Sequence, residues 1–149
     1  MDDILVLEVD VLNALNWDII SLICPLDIIV NLSFQLQLAI VNNINKLKHF
    51  CGTITNYLIW SSWNVFSNFS LAIGTLLVFC EIMHQNNDAK NCLFYVIGLN
   101  EKLQKNLTDD ILLVRQYVFK HLENFFTDEK LIISAKRLSK IRVIENYIN

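Results

Sequence analysis

The chain has 149 residues, of which 54% are hydrophobic, and its formal net charge is −3. A chain of this length can bury one hydrophobic core, so we expect a single domain. The slightly acidic balance gives no electrostatic reason to expect nucleic acid as a partner. Helix breakers are scarce, with 3 Gly and 1 Pro. Because apolar residues also recur at helical spacing, the sequence predicts an all-α bundle.

The N-terminal segment is predicted to form a helix over residues 2–16. Its apolar side chains share one face, and Glu8 lies at the edge of that face. The face comprises Ile4, Val11, Leu12 and Leu15. The regular pattern ends at Trp17. Pro25 then stands at a favourable first-turn position for a second helix, with Asp27 near the positive end of its dipole.

The next four helices are predicted over residues 26–41, 44–59, 71–84 and 89–104. In the third of these four, Ala72 and Gly74 allow a neighbouring helix to approach closely. Asn68 or Ser70 is predicted to cap its N-terminus. The helix that follows these four is predicted to begin with Thr108 as its N-cap, because acidic residues occupy the first turn after it.

The C-terminal part of the chain is amphipathic and then basic. The helix after Thr108 is predicted to bury Ile111, Val114, Val118 and Leu122. Arg115 and Phe119 fall on its other side. Residues 127–149 form a weakly amphipathic tail in which basic side chains outnumber acidic ones. We expect this tail to dock as a helix or to stay partly mobile.

Residues 50–80 contain no charged side chain, which raises the question of a membrane helix. Polar residues interrupt this segment, however, and its uninterrupted apolar core spans only residues 76–80. That run is far shorter than the ~20 residues that cross a bilayer. We therefore expect a buried helix and no membrane partner, while membrane association through residues 71–83 stays open as an alternative.

The residue types that carry catalysis or bind metals are scattered along the chain. The cysteines Cys24, Cys51, Cys80 and Cys92 form no CxxC pair and have no histidine at ligand spacing, so we expect reduced thiols in a core. The three histidines have no catalytic partner close in sequence, and we find no phosphate loop or nucleophile elbow. We expect no catalytic residue, no metal, no cofactor and no enzymatic activity.

Residues 8–29, EVDVLNALNWDIISLICPLDII, resemble the junction between the two boxes of a cyclin, and viral and D-type cyclins are the most similar. In that family a short linker follows the last helix of the first box and leads to a helix that starts P-x-D. The linker from Trp17 to Asp27 is one residue longer here. Segments similar to the family's tightly packed third helix, its fourth helix and its fifth helix lie at residues 66–74, 93–97 and 110–116. The resemblance covers residues 7–126.

This resemblance implies three parts. Residues 1–17 resemble the last helix of a first cyclin box, residues 18–126 a five-helix cyclin-box bundle, and residues 127–149 add a short basic helical tail. Most of the first box, which supplies much of the kinase contact in the family, has no counterpart in this sequence. We therefore expect a protein that keeps the second box and one extra helix, or a chain trimmed from something longer.

The resemblance also implies a partner-binding role in cell-cycle or transcription control, with a cyclin-dependent protein kinase or another regulatory protein as partner. Glu8 aligns with the family glutamate that contacts the kinase's regulatory region. The expected partner-binding residues are Glu8, Val11, Leu12 and Trp17, although a solvated carboxylate at Glu8 and core packing of Trp17 are simpler interpretations. We expect a location in the nucleus and cytoplasm, of a host cell if the protein is viral. The N-terminal helix also allows a homodimer.

A different class of function fits the same helical pattern. A small viral α-helical regulator of apoptosis or of the host response would hold a partner helix in a groove. Its characteristic N-W-G-R-type segment is echoed only weakly, by Asn16, Trp17 and Asp18. Binding of amphipathic death-domain peptides would favour this alternative.

Overall fold

The computed structural model describes residues 2–14, 24–60, 66–103 and 106–138. These residues form seven α-helices and contain no strand, which confirms the predicted all-α class. The helices are α1 (Asp2–Ala14), α2 (Pro25–Gln35), α3 (Ile44–Trp60), α4 (Asn68–Ile82), α5 (Asn86–Leu103), α6 (Leu107–Lys120) and α7 (Glu129–Leu138). Two short 3-10 helices, Ala39–Asn43 and Leu122–Asn124, follow α2 and α6.

Helix α4 is the centre of the bundle. Every side chain from Ser70 to Glu81 is buried, and α2, α3, α5, α6 and α7 pack around it. A helix that is apolar on all sides needs neighbours on all sides, and α4 has them. The prediction of a buried helix is therefore confirmed. In the described ranges, no helix is both long and apolar enough to cross a membrane.

Helix α6 approaches the backbone of α4 closely at Gly74. A Cβ atom at this position would lie 2.6 Å from Val114 Cγ1 and 3.0 Å from the carbonyl oxygen of Ile111, both on α6. No side chain fits at such distances unless α6 moves. Glycine is therefore required here by packing, and the prediction that this residue admits a close neighbour is confirmed.

Helix α2 ends at Gln35 and not near residue 41 as predicted, and a contact from α5 explains the difference. Gln37 has a φ of 52°, a left-handed conformation that stops the helix. Both carboxylate oxygens of the buried Asp88 then accept hydrogen bonds, from the N–H of Ala39 at 3.1 Å and from that of Ile40 at 3.0 Å. The Asp88 carboxylate therefore provides hydrogen-bond acceptors for the free N–H groups at the start of the 3-10 helix Ala39–Asn43. This 3-10 helix takes the place of the last turns that were predicted for α2.

The predicted N-caps of α4 and α6 are wrong. Helix α4 is capped by Ser67, whose hydroxyl accepts a hydrogen bond from the N–H of Ser70 at 3.1 Å. In α6 the N-cap residue is Asn106, and Thr108 lies inside the helix. A side chain from α5 serves the free backbone N–H at the start of α6: the side-chain carbonyl oxygen of Asn100 accepts a hydrogen bond from the N–H of Leu107 at 2.8 Å.

A buried ion pair joins α4 to α6. Arg115 Nε and Nη2 each donate to a carboxylate oxygen of Glu81 at 2.7 Å, and the two side chains are 5% and 3% exposed. The guanidinium also lies 4.7 Å from the ring centre of Phe119 and donates to the carbonyl oxygen of Leu138 at 3.5 Å. The expectation that Arg115 and Phe119 lie outside the buried face is therefore wrong. Glu81 attracts the guanidinium inward, and α7 covers it.

Candidate functional site

Helix α1 carries apolar side chains that the bundle does not use. Six of them are between 48% and 66% exposed, and no described side chain of α1 belongs to the hydrophobic core. The six are Ile4, Leu5, Val6, Leu7, Val9 and Val11. Contiguous exposed apolar surface of this kind marks a site of interaction with another molecule.

The exposure of α1 has an energetic consequence. Isolated helices shorter than about 12–15 residues are marginally stable in water, and α1 has 13 residues. Several of these residues are β-branched, which lowers helix propensity further. The acidic side chain of Asp3 is favourable near the positive end of the helix dipole, but such a contribution is under about 1 kcal/mol on an exposed surface. Packing against a partner would supply the missing stabilisation.

Glu8 lies within an apolar face. Residues three and four positions apart are neighbours on a helix, so Glu8 is flanked by Ile4 and Leu5 on one turn and by Val11 on the next. With Leu5 included, the face extends beyond Glu8 on both sides, and the carboxylate is not at its edge as predicted. We call Ile4, Leu5, Glu8 and Val11 the Glu8 face.

A partner that covers the Glu8 face would also cover the carboxylate. A buried carboxylate is costly unless a cation or several hydrogen-bond donors accompany it. The first 45 residues of the chain contain six acidic residues and no Lys, Arg or His. Any group that covered this face would therefore have to offer a cation or several hydrogen-bond donors to Glu8.

The four predicted partner-binding residues divide into those the structure describes and those it does not. Glu8 and Val11 are both exposed on α1, one turn apart. Leu12 belongs to the same helix, but its side chain lies outside the described part of the structure, and Trp17 lies outside the described residues altogether. Partner binding by each of the four residues stays a prediction.

A second surface feature lies on the outer side of α6. It is an open depression of about 380 Å³ whose described lining residues, Asp109, Leu112, Leu113 and Gln116, all belong to this helix. The groove of a helix-binding regulator lies between helices, because the partner helix must be held from two sides. This depression does not have that form.

The cysteines lie mostly inside the bundle. Cys51, Cys80 and Cys92 are buried, Cys24 is partly exposed, and all four are free thiols. Burial raises the pKa of the Cys51 thiol. A hydrogen bond with Cys92, together with burial, raises the pKa of Cys80. Thiols held in their neutral form are poor nucleophiles and poor metal ligands.

Neither a metal centre among the described residues nor a match to a known protein indicates a function. Within the described ranges, no three His, Cys, Asp or Glu side chains are grouped so that they could hold a metal ion. Comparisons with models of protein families, with curated proteins and with solved structures found no match.

Proposed function

We propose that this protein is a cyclin-like regulatory protein that binds a cyclin-dependent kinase through the Glu8 face of α1, in cell-cycle or transcription control. The observation that carries the proposal is the exposure of this apolar helix beside a bundle whose core is formed without it. Apolar surface of this kind is suited to binding another protein.

The helix order supports the cyclin-like part of the proposal. Of the five helices α2–α6, the third, α4, is the one whose side chains are buried along nearly its whole length. The cyclin resemblance assigns residues 66–74, which contain the start of α4, to the family's tightly packed third helix. Gly74 makes the close contact with α6 that such packing requires.

The Glu8 face offers enough apolar surface for a specific contact of moderate strength. Full burial of a Val, Leu or Ile side chain contributes about 1.5–3 kcal/mol, and the three apolar side chains of this face are roughly half exposed to begin with. Truncating one of these side chains to alanine should therefore reduce the free energy of binding by about 1 kcal/mol. Removing Glu8 opposite a partner cation should cost more, about 2–5 kcal/mol, since the cation is then buried unpaired.

The test is binding of the purified protein to a panel of cyclin-dependent kinases, with kinase activity measured in the same samples. We expect binding at micromolar concentrations or tighter. Glu8→Ala should weaken the affinity at least about thirtyfold and Val11→Ala about fivefold. Asp10→Ala is the matched control, because it removes a carboxylate from the same helix outside the Glu8 face, and we expect less than a twofold change.

Each outcome bears on a different part of the proposal. Binding with activation supports a cyclin-like regulator, whereas binding without activation supports a decoy or scaffold that uses the same face. Binding that Glu8→Ala leaves unchanged would show that the contact lies elsewhere. No binding to any kinase in the panel would refute the kinase as partner.

A further inference from the structure

We propose that α1 has a second contact, in which the side of the helix opposite Glu8 packs antiparallel against α7 of a second copy of this chain. The contact occurs twice in a symmetric dimer. This inference goes beyond the proposed function and does not depend on it, because it uses a different face of α1.

The second face of α1 carries a repeated charge. Asp3 and Asp10 are exposed and seven residues apart, so they lie on one stripe two turns from each other. Val6 and Leu7 lie between them and are also exposed. We call these four residues the acidic stripe. The acidic stripe lies on the far side of the helix from Glu8. Through Val6 and Leu7 it makes α1 apolar on this side as well as on the Glu8 face.

Helix α7 has the complementary pattern on its outer surface. Lys130 and Arg137 are exposed and again seven residues apart, and Ile133 between them is 67% exposed. We call these three residues the basic stripe. The opposite side of α7 packs against the core through Leu131 and Leu138, so the helix is held in place with the basic stripe outward.

The two stripes match in one antiparallel register. Seven residues of helix span about 10.5 Å on both helices, so Asp3 meets Arg137 when Asp10 meets Lys130. Val6 and Leu7 then cover Ile133, the apolar centre of the basic stripe. The antiparallel direction also sets the positive end of the α1 dipole beside the negative end of α7.

Charge and buried area both favour a second copy of this chain as the molecule that covers the acidic stripe. In a single chain the acidic stripe is exposed, so it is not in contact with its own α7. Two α1 helices paired with each other would bring acidic residues together, which is unfavourable. One helix about 20 Å long covers less than the roughly 800 Å² per partner of a typical stable interface, but a symmetric dimer forms the contact twice.

The experiment uses two charge-reversal variants of the full chain, D3K/D10K and K130E/R137E, measured by sedimentation equilibrium. The wild type should dimerise in a concentration-dependent way. Each variant alone should dimerise at least about tenfold more weakly, because both contacts in its dimer become repulsive. An equimolar mixture should form heterodimers as tightly as the wild type, since opposite charges then meet at both contacts.

Matched controls separate this effect from net charge. Glu101→Lys reverses an exposed charge on α5, and K46E/K48E reverses two exposed charges on α3; neither should change dimerisation. If a reversal variant loses helicity by circular dichroism, D3N/D10N and K130Q/R137Q replace the pair. These neutral variants should weaken dimerisation by about threefold or more.

Three results would overturn the proposal. The wild type could remain monomeric up to about 100 µM, a concentration at which even a weak dimer is populated. The reversal variants could dimerise as well as the wild type. The mixture could fail to form heterodimers although both variants are folded. Kinase binding is scored separately, through Glu8→Ala, so failure of one proposal leaves the other to be judged on its own data.

Discussion

Replacing Arg115 by methionine should destabilise the protein strongly, because Glu81 would be left buried without its counter-ion. The substitution removes two hydrogen bonds of 2.7 Å from a carboxylate whose side chain is 3% exposed. Methionine fills similar space beside Phe119, but it also removes the guanidinium's cation–π contact with that ring and its hydrogen bond to Leu138, so the loss comes mainly from the charge and its polar contacts. Breaking a buried ion pair by removing one partner costs about 3–5 kcal/mol.

That cost is large beside the total stability of a domain, which is about 5–15 kcal/mol. For a chain of this size each kcal/mol lowers the melting temperature by roughly 2–4 °C, so we expect a decrease of about 10 °C. The assay is urea unfolding followed by far-ultraviolet circular dichroism, with a common slope fitted for all variants.

A double substitution distinguishes the charge effect from a packing effect. Glu81→Leu together with Arg115→Met replaces the pair by apolar side chains, and it should be within about 2 kcal/mol of the wild type. Lys136→Ala is the control, because its pair with Glu123 spans 3.6 Å between side chains that are more than half exposed, and exposed pairs contribute about 0–1 kcal/mol. The reasoning fails if Arg115→Met costs under 1 kcal/mol, or if the double variant is no more stable than the single one.

Three further predictions concern the bundle. Gly74→Ala should destabilise it by about 1–2 kcal/mol in urea unfolding, since overpacking against α6 outweighs the gain in helix propensity. In a Val114→Ala background this cost should be only partly smaller, because the Cβ of residue 114 at 2.7 Å and the Ile111 carbonyl oxygen at 3.0 Å remain; a cost that vanishes in that background would contradict this. Asp88→Ala should cost about 1–3 kcal/mol and speed amide exchange at the start of the 3-10 helix, whereas Asp88→Asn, which keeps one acceptor oxygen, should cost less. Because burial raises the pKa of Cys51 above the 9.0 of an ordinary thiol, the folded protein holds more protons than the unfolded chain above about pH 9. Stability should therefore fall there as pH rises, and Cys51→Ala should make that decline shallower by about 1.4 kcal/mol per pH unit; an unchanged slope would be the contrary result.

The central helix could be predicted from sequence because its signal is local. Residues 71–82 are apolar on all sides, and only a buried helix satisfies such a segment. Gly74 was recognisable as a point of close approach for the same reason, although the pattern did not identify α6 as the neighbour. The end of α2 and the start of α6 could not be predicted, because side chains from another helix, Asp88 and Asn100, satisfy the backbone there.

The candidate site was only partly predictable. Glu8 and Val11 were proposed from the periodicity of α1 and the resemblance to cyclins, and the structure adds only that both are exposed. The basic stripe of α7 was not found, because a weakly amphipathic segment does not indicate which side will be covered. That depends on how Leu131 and Leu138 pack against the rest of the bundle.

The amino-acid sequence by itself determined that this protein is helical and that α4 is buried, because hydrophobic periodicity acts within a single helix. The tertiary structure alone decided that Arg115 lies inside, since a cation enters a core only where a carboxylate such as Glu81 is already held there. It also decided that α1 is left outside, because a helix is buried or exposed according to what packs against it. Periodicity identifies an apolar face, but the contact that covers it depends on residues distant in the chain.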